Sequence, residues 1–207
     1  MSKTLDYLRS MDNGVIVFVG SGRSGKSSAC HALLEYIQPD RKVCFLDDRP
    51  VDLSAWPDNY TYAKNFDDIP LGSFALVEDA ARVFHSRGSS KDTDLQRFMG
   101  VISHKSIILV VTIQNTSNLD LAILRDQDTV LVHKRIHEED LQFERPEFRS
   151  LAALANGYIN LASEQEPSMD IRCWNFFGRW NEVIGLDPPR WWSDRNSRCF
   201  RKVKICQ

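Results

Sequence analysis

The chain has 207 residues, 43% hydrophobic and 26% charged, enough for one buried core with an appendage but not for several domains. Its 28 acids and 26 Lys and Arg leave a formal charge of -2, so no global basicity demands a nucleic-acid partner. The five cysteines are odd in number and lack a C-x-x-C pair, the N-terminus has no apolar leader, and no run approaches the ~18 apolar residues of a membrane span; these features predict a soluble protein of a reducing compartment.

Short β-branched runs alternate with helical patterns, which predicts parallel βαβ units. Residues 15–19 read as a buried strand. After a glycine-rich bend, Ala29, Cys30, Leu33, Leu34 and Ile37 share one helical face, and Pro39 stops the helix. Residues 43–46 form a second strand, closed by Asp47 and Asp48. The connection over residues 48–73 is dense in Pro, Asp and Asn and carries no periodicity. Residues 74–79, "FALVED", make a third strand ending in Glu78 and Asp79. Leu95, Phe98, Met99 and Ile102 share a helical stripe, and "SIILVVTIQN" is the most strand-like segment of the chain. Residues 119–124 predict a short helix capped by Asn118, and residues 130–132 a fifth strand. Phe148, Leu151, Leu154, Ala155 and Tyr158 then mark a helix beginning after Pro146.

Beyond Ser163 the composition changes, dividing the chain into a core, residues 1–163, and an extension packed on it, residues 164–207. The extension holds Trp174, Trp180, Trp191 and Trp192, four of the five tryptophans. From residue 190 onward it carries Arg190, Arg195, Arg198, Arg201, Lys202 and Lys204 against Asp194 alone. With Phe176, Phe177 and Arg179, these residues read either as a basic, aromatic surface for a nucleic-acid backbone or as a plug sealing the last helix onto the sheet. Cys173, Cys199 and Cys206 do not have zinc-site spacing.

The bend itself, Gly20-Ser21-Gly22-Arg23-Ser24-Gly25-Lys26-Ser27, satisfies G-x-x-x-x-G-K-[ST] in full, between a buried strand and an amphipathic helix. Gly20 and Gly25 would let the backbone take φ values closed to other residues, so that successive N–H groups face a phosphate at the positive end of the helix. The nucleotide-binding set is Gly20, Ser21, Gly22, Arg23, Ser24, Gly25, Lys26, Ser27 and Ser28. Within it Lys26 reaches for the β- and γ-phosphates of ATP, and the Ser27 hydroxyl for Mg²⁺.

Hydrolysis needs two further roles, a carboxylate that holds the hydrated metal and one that orients and deprotonates water. Glu78 and Asp79 follow four apolar residues, in the order Glu-Asp rather than the usual Asp-Glu. We assign Glu78 to the metal with Ser27, and Asp79 to the water, an assignment that the reversed order leaves open. Gln114, at the end of "VVTIQ", can hydrogen-bond the γ-phosphate or the water without adding charge, and Thr112 is a second candidate for that task.

The P-loop, the apolar strand ending in two acids and alanine, the nearby "SRG", and the strand end "TIQNTSNLD" with Asp120 and Arg125 together resemble the FtsK–HerA superfamily of P-loop ATPases. Within it, the short chain is most similar to the genome-packaging ATPases of tailless, membrane-containing double-stranded DNA viruses. The resemblance spans roughly residues 15–135.

It implies an α/β, RecA-like P-loop NTPase with a mostly parallel central sheet flanked by helices, ahead of the aromatic and basic C-terminal extension. It further implies a homo-oligomeric ring with ATP and Mg²⁺ between subunits, hydrolysis coupled to movement of double-stranded DNA, and capsid or viral membrane-vertex proteins as partners. The expected location is the host cytoplasm and the virion. Lys26, Glu78, Asp79 and Gln114 would be the catalytic residues. An arginine finger is expected just before the Gln114 strand, where this chain has His104 and Lys105 instead. Arg82, Arg87, Arg97 and Arg125 are the alternatives, with Arg87 best placed to cross an interface, and residues 86–94 are a second candidate DNA-contacting loop.

Two other classes compete. A small-molecule kinase would share the Gly-Lys-Ser loop, and "LDDRP" would supply an acid for its acceptor, but no arginine-rich lid follows Gln114. A guanine-nucleotide switch would want Asn/Thr-Lys-x-Asp near Gln114, and "TIQN" lacks both the Lys and the Asp.

Overall fold

The computed structural model describes residues 2–47, 51–80, 99–125, 128–165, 172–193 and Asn196. One sheet of eight strands runs through it in the order β3-β2-β4-β5-β1-β6-β7-β8. The strands are β1 (Gly14–Val19), β2 (Val43–Leu46), β3 (Tyr60–Ala63), β4 (Phe74–Val77), β5 (Ile108–Ile113), β6 (Thr129–His133), β7 (Cys173–Phe177) and β8 (Glu182–Leu186). The first six pair in parallel, whereas β7 runs antiparallel to β6 and β8 antiparallel to β7. The mostly parallel α/β sheet implied by the motifs is the fold of the chain.

The central strands β1 and β5 are buried along their whole length, the state expected of parallel strands covered on both faces. Alternation sends Ile16 and Phe18 to one side, and Val15, Val17 and Val19 to the other. The first side is covered by α1 (Lys3–Arg9) and α2 (Lys26–Ile37). The second receives Met99 and Ile102 from a helical stretch, α3 (residues 99–104), Ile123 from α4 (Leu121–Leu124) and Ala152 from α6 (Pro146–Gln165), while the short α5 (Glu138–Leu141) lies between β6 and α6 in the chain.

Several elements differ from the sequence expectation. The connection read as lacking periodicity contains β3, a four-residue edge strand whose middle residues are half-buried and so leave no hydrophobic pattern. Helix α4 is capped by Asp120, which accepts from Ala122 N at 2.7 Å; Asn118, the expected cap, instead ends a 3-10 turn. In α6 the face on the sheet is Ala152, Ala155 and Ile159, and two residues of the expected stripe, Leu154 and Tyr158, are 43% and 41% exposed. Alanines let α6 lie close over β7, and the same closeness explains Gly178, where a Cβ would meet Leu151 Cδ1 at 2.9 Å.

The region after residue 163 continues the sheet, and residue 163 itself lies within α6. Phe176 and Phe177 are wholly buried in β7, and Trp180 packs on Tyr7 of α1 at 5.3 Å between ring centroids. Thr4 N donates to Glu182 Oε2 at 3.3 Å, so the N-terminal helix is tied to the last strand. Trp191 and Trp192 join Phe45, Trp56, Tyr60 and His31 in one cluster, with neighbouring centroids 4.9–6.0 Å apart. Phe176 and Phe177 are core, and Trp180, Trp191 and Trp192 are partly buried against it, which favours the plug over the nucleic-acid surface of the two readings of these aromatics. Arg179 and Arg190 are exposed, whereas Arg195, Arg198, Arg201, Lys202, Lys204, Cys199 and Cys206 lie outside the described residues. Cys30, Cys44 and Cys173 are buried free thiols.

Candidate nucleotide-binding site

Because β1, β5 and β4 are adjacent and parallel, their C-terminal ends open on the same edge. Val19 pairs with Ile113 on one side and with His133 on the other, while Val77 pairs with Val111. The loop after β1, the acids after β4, Gln114 after β5 and Lys134 after β6 therefore converge on one edge. The Gln114 strand lies between the P-loop strand and the acid-bearing strand, as the motifs implied.

Each glycine of the loop has its own reason. A Cβ on Gly20 would meet Lys134 Cβ at 2.8 Å and Ser24 Oγ at 2.9 Å, so this position is set by close approach and not by a positive φ. Gly25, the N-cap of α2, has φ +81°, and Arg23 has φ +64°. At Gly22 and Gly25 an added Cβ would touch nothing within 4 Å, which leaves open space beside the loop at the start of α2. A phosphate fits that space, at a helix N-terminus whose first N–H groups have no partners inside the helix.

Ser21 is buried and locked from the far side. Its N donates to Arg135 O at 3.2 Å, its hydroxyl donates to Asp140 Oδ2, and it accepts from His137 N at 2.8 Å. Lys26 Nζ donates to Gly20 O at 2.6 Å and Ser21 O at 2.8 Å, folding over its own loop. Burial lowers the Lys26 pKa, and Asp79, Glu78 and Asp140, in that order, offset part of the shift. A desolvated cation facing three carboxylates would exchange two neutral carbonyls for phosphate oxygens with a gain in charge-assisted bonding. Ser27 is half-buried one residue on, and Ser28 Oγ accepts from Cys173 Sγ at 3.4 Å, which turns Ser28 toward β7.

The two acids diverge. The strand ends at Val77, so Glu78 and Asp79 sit on a turn. Asp79 is exposed in the left-handed region at φ +55°, and its N donates to Thr112 Oγ1 at 3.1 Å. Thr112 thus supports the turn, and its hydroxyl is engaged there. Glu78 is mostly buried, its Oε1 3.7 Å from Nε2 of His31. Gln114 is exposed next to the loop, whose Gly20 N donates to Ile113 O at 3.3 Å.

The donors available to a metal are Ser27 and the two acids, all oxygen. No cluster of three His, Cys, Asp or Glu able to hold an ion occurs among the described residues. Such a set suits Mg²⁺, which keeps several waters and shares its remaining ligands with substrate phosphates. Arg125, one finger alternative, is exposed and faces Glu147 Oε1 at 3.3 Å; Arg82, Arg87, Arg97 and residues 86–94 lie outside the described residues.

Sequence reasoning missed His31, Asp140, His137 and Lys134. Only His31 left a signal, four residues after Ser27 and so on the same face of the P-loop helix. The others come from the segment after β6, which meets the loop through the fold alone.

No protein-family model matches the sequence, and no curated protein does. Solved structures do match. The genome packaging NTPase B204 of Sulfolobus turreted icosahedral virus 2, in complex with ATP-gammaS, aligns at a TM-score of 0.53 and 13% identity over 87% of this chain and 99% of that one. The DNA-packaging ATPase B204 of Sulfolobus turreted icosahedral virus aligns at 0.52 and 14% identity, over 86% of this chain and 98% of the other. The fold that the resemblance implied is thereby matched over 86–87% of this chain, and the chain has the RecA-like P-loop NTPase fold, which these genome-packaging NTPases share.

Proposed function

We propose that this chain is an ATP-hydrolysing motor that moves double-stranded DNA into a viral capsid. The supporting observation is the fold match to packaging NTPases over 87% of this chain, combined with a P-loop, two acids and a glutamine on three neighbouring strand ends. The core and extension, residues 1–163 and 164–207, would work as one body, since β7 and β8 prolong the nucleotide-binding sheet.

In this reading the N–H groups of residues 22, 23 and 25–28 and the Lys26 ammonium bind the ATP phosphates, while Gly20, Ser21 and Ser24, whose N–H groups donate to Ile113 O, Arg135 O and Ser21 O, shape the loop. Lys26 leaves the carbonyls of Gly20 and Ser21 to do so. The Ser27 hydroxyl and Glu78 hold Mg²⁺, which when bound neutralises charge on the terminal phosphates. Asp79, exposed on its turn, orients and deprotonates the attacking water, and Gln114 hydrogen-bonds the γ-phosphate or that water. Identical subunits would form a ring, a neighbour would supply an arginine finger, and the partners would be DNA and capsid or membrane-vertex proteins in host cytoplasm and virion. Among the described residues no helix is long and apolar enough to cross a membrane.

The test is ATP turnover alone, with long duplex DNA, and with nucleoside monophosphates. Stimulation by DNA, diminishing with salt as phosphate contacts require, is the expected result. Consumption of a monophosphate without DNA stimulation would replace the motor by a kinase.

A further inference from the structure

His31 has no task in the scheme above, yet it is wholly buried beside the reacting edge. It belongs to α2, four residues beyond Ser27, and both side chains leave the helix on the same face. Its Nδ1 lies 2.9 Å from the Tyr60 hydroxyl, and its Nε2, without a hydrogen-bond partner, lies 3.7 Å from Glu78 Oε1. Phe45, Trp56, Trp191 and Trp192 surround the ring, closing off water.

The Tyr60 contact bears on the tautomer. With the Tyr60 O–H donating to Nδ1, the imidazole proton is on Nε2, on the side of Glu78. At 3.7 Å the contact is too long for a hydrogen bond. A rotation of the Glu78 side chain, which sits on a turn beyond the strand end, would close it and satisfy an Nε2–H.

We propose that His31 is a positioning residue for Glu78: held by Tyr60 with its proton on Nε2, it donates to the carboxylate and keeps it on the Ser27 side of the site. The inference rests on the ATPase reading and resolves the ambiguity between the two acids, making Glu78 the metal-side group and leaving Asp79 for water. It also gives the C-terminal tryptophans a role, since Trp191 and Trp192 wall in the imidazole. The ionisable groups facing His31 are Glu78 from the turn after β4 and Tyr60 from β3. Cys30 lies on its own helix, and Glu35 is held by Trp191 Nε1 at 3.2 Å.

Three variants test the proposal. His31→Phe fills the space without a donor, His31→Gln restores one, and Tyr60→Phe keeps the ring but frees the tautomer. His31→Phe is expected to lower kcat by about 10- to 100-fold with KM for ATP little changed, and to raise the Mg²⁺ concentration needed for half-maximal ATPγS binding by calorimetry about 10-fold. His31→Gln should recover part of both losses. Independently of turnover, a long-range ¹H–¹⁵N spectrum of the native chain should show His31 protonated on Nε2, and Tyr60→Phe should release it to a mixture. Should His31→Phe fail to fold, Tyr60→Phe carries the kinetic and calorimetric measurements. Equal losses in His31→Phe and His31→Gln, an unchanged Mg²⁺ dependence, or a native His31 protonated on Nδ1 would overturn the proposal. A native chain that turns over no nucleotide yet shows the Nε2 proton would overturn the ATPase reading and leave the His31–Tyr60 geometry intact.

Discussion

The phosphate loop and the β7–β8 region are each held in a different way. In the loop, positions are set by backbone groups and small side chains: Gly20 because nothing larger fits, Gly25 because its φ is positive, Ser21 because three polar partners grip it. In β7 and β8, positions are set by the volume of rings, with Phe176 and Phe177 wholly buried and Tyr158 stacked on Phe176 at 5.4 Å. The first region is specified for chemistry and adds little apolar burial. The second supplies burial and closes one side of the sheet. Substitutions should therefore separate activity from stability between the two.

The largest separation should come from Phe177→Ala, which removes a ring from a site with no exposure and is expected to cost about 4 kcal/mol in chemical denaturation. Lys26→Ala is its counterpart. Turnover should fall ~10²- to 10³-fold, while the thermal midpoint holds or rises, because a desolvated cation has been removed. A Lys26→Ala protein that melts well below the native one would show that the loop carries structural weight after all.

Acid should act on the rigid side of the same divide. His133 ends β6, buried with neither ring nitrogen hydrogen-bonded, and burial lowers its pKa to about 4. Above pH ~6.5 it is neutral folded or unfolded and contributes no pH dependence. As pH falls below that, the unfolded chain takes up a proton that the folded one refuses, so stability declines down to about pH 4, by roughly 3 kcal/mol from this group. Urea titrations at pH 7 and pH 4.5 measure the decline, and His133→Leu should flatten it.

The smallest contrast lies inside the loop. Gly20→Ala drives a methyl into Lys134 and should cost about 1–3 kcal/mol, whereas Gly22→Ala meets nothing and should stay within about 0.5 kcal/mol. Thermal melts of the pair distinguish steric need from motif membership. Equal effects would refute the close-approach explanation.

How much was legible from sequence follows the same line. The strands carrying the P-loop, the acids and Gln114 were readable because they are fully buried and continuous in apolar residues, and the motif letters sit at their ends. Strand β3 was not, since a half-buried edge strand needs no strict pattern, and neither was β7, where Asn175 interrupts an aromatic run that looked like surface or plug. The stripe on α6 included Ala155 but took Leu154 and Tyr158 in place of Ala152 and Ile159, because hydrophobic periodicity underweights a small residue such as Ala152.

The order of residues alone determined the phosphate loop and the helix that follows it, because that motif depends on local backbone geometry and on spacing within one strand-turn-helix unit. Only the tertiary structure decided what surrounds it: Asp140 and His137 on Ser21, Lys134 against Gly20, and His31 facing Glu78 from within a ring of aromatics. Those contacts join residues as many as 119 positions apart, and such pairs come together through parallel strand order and packing, which no local pattern encodes.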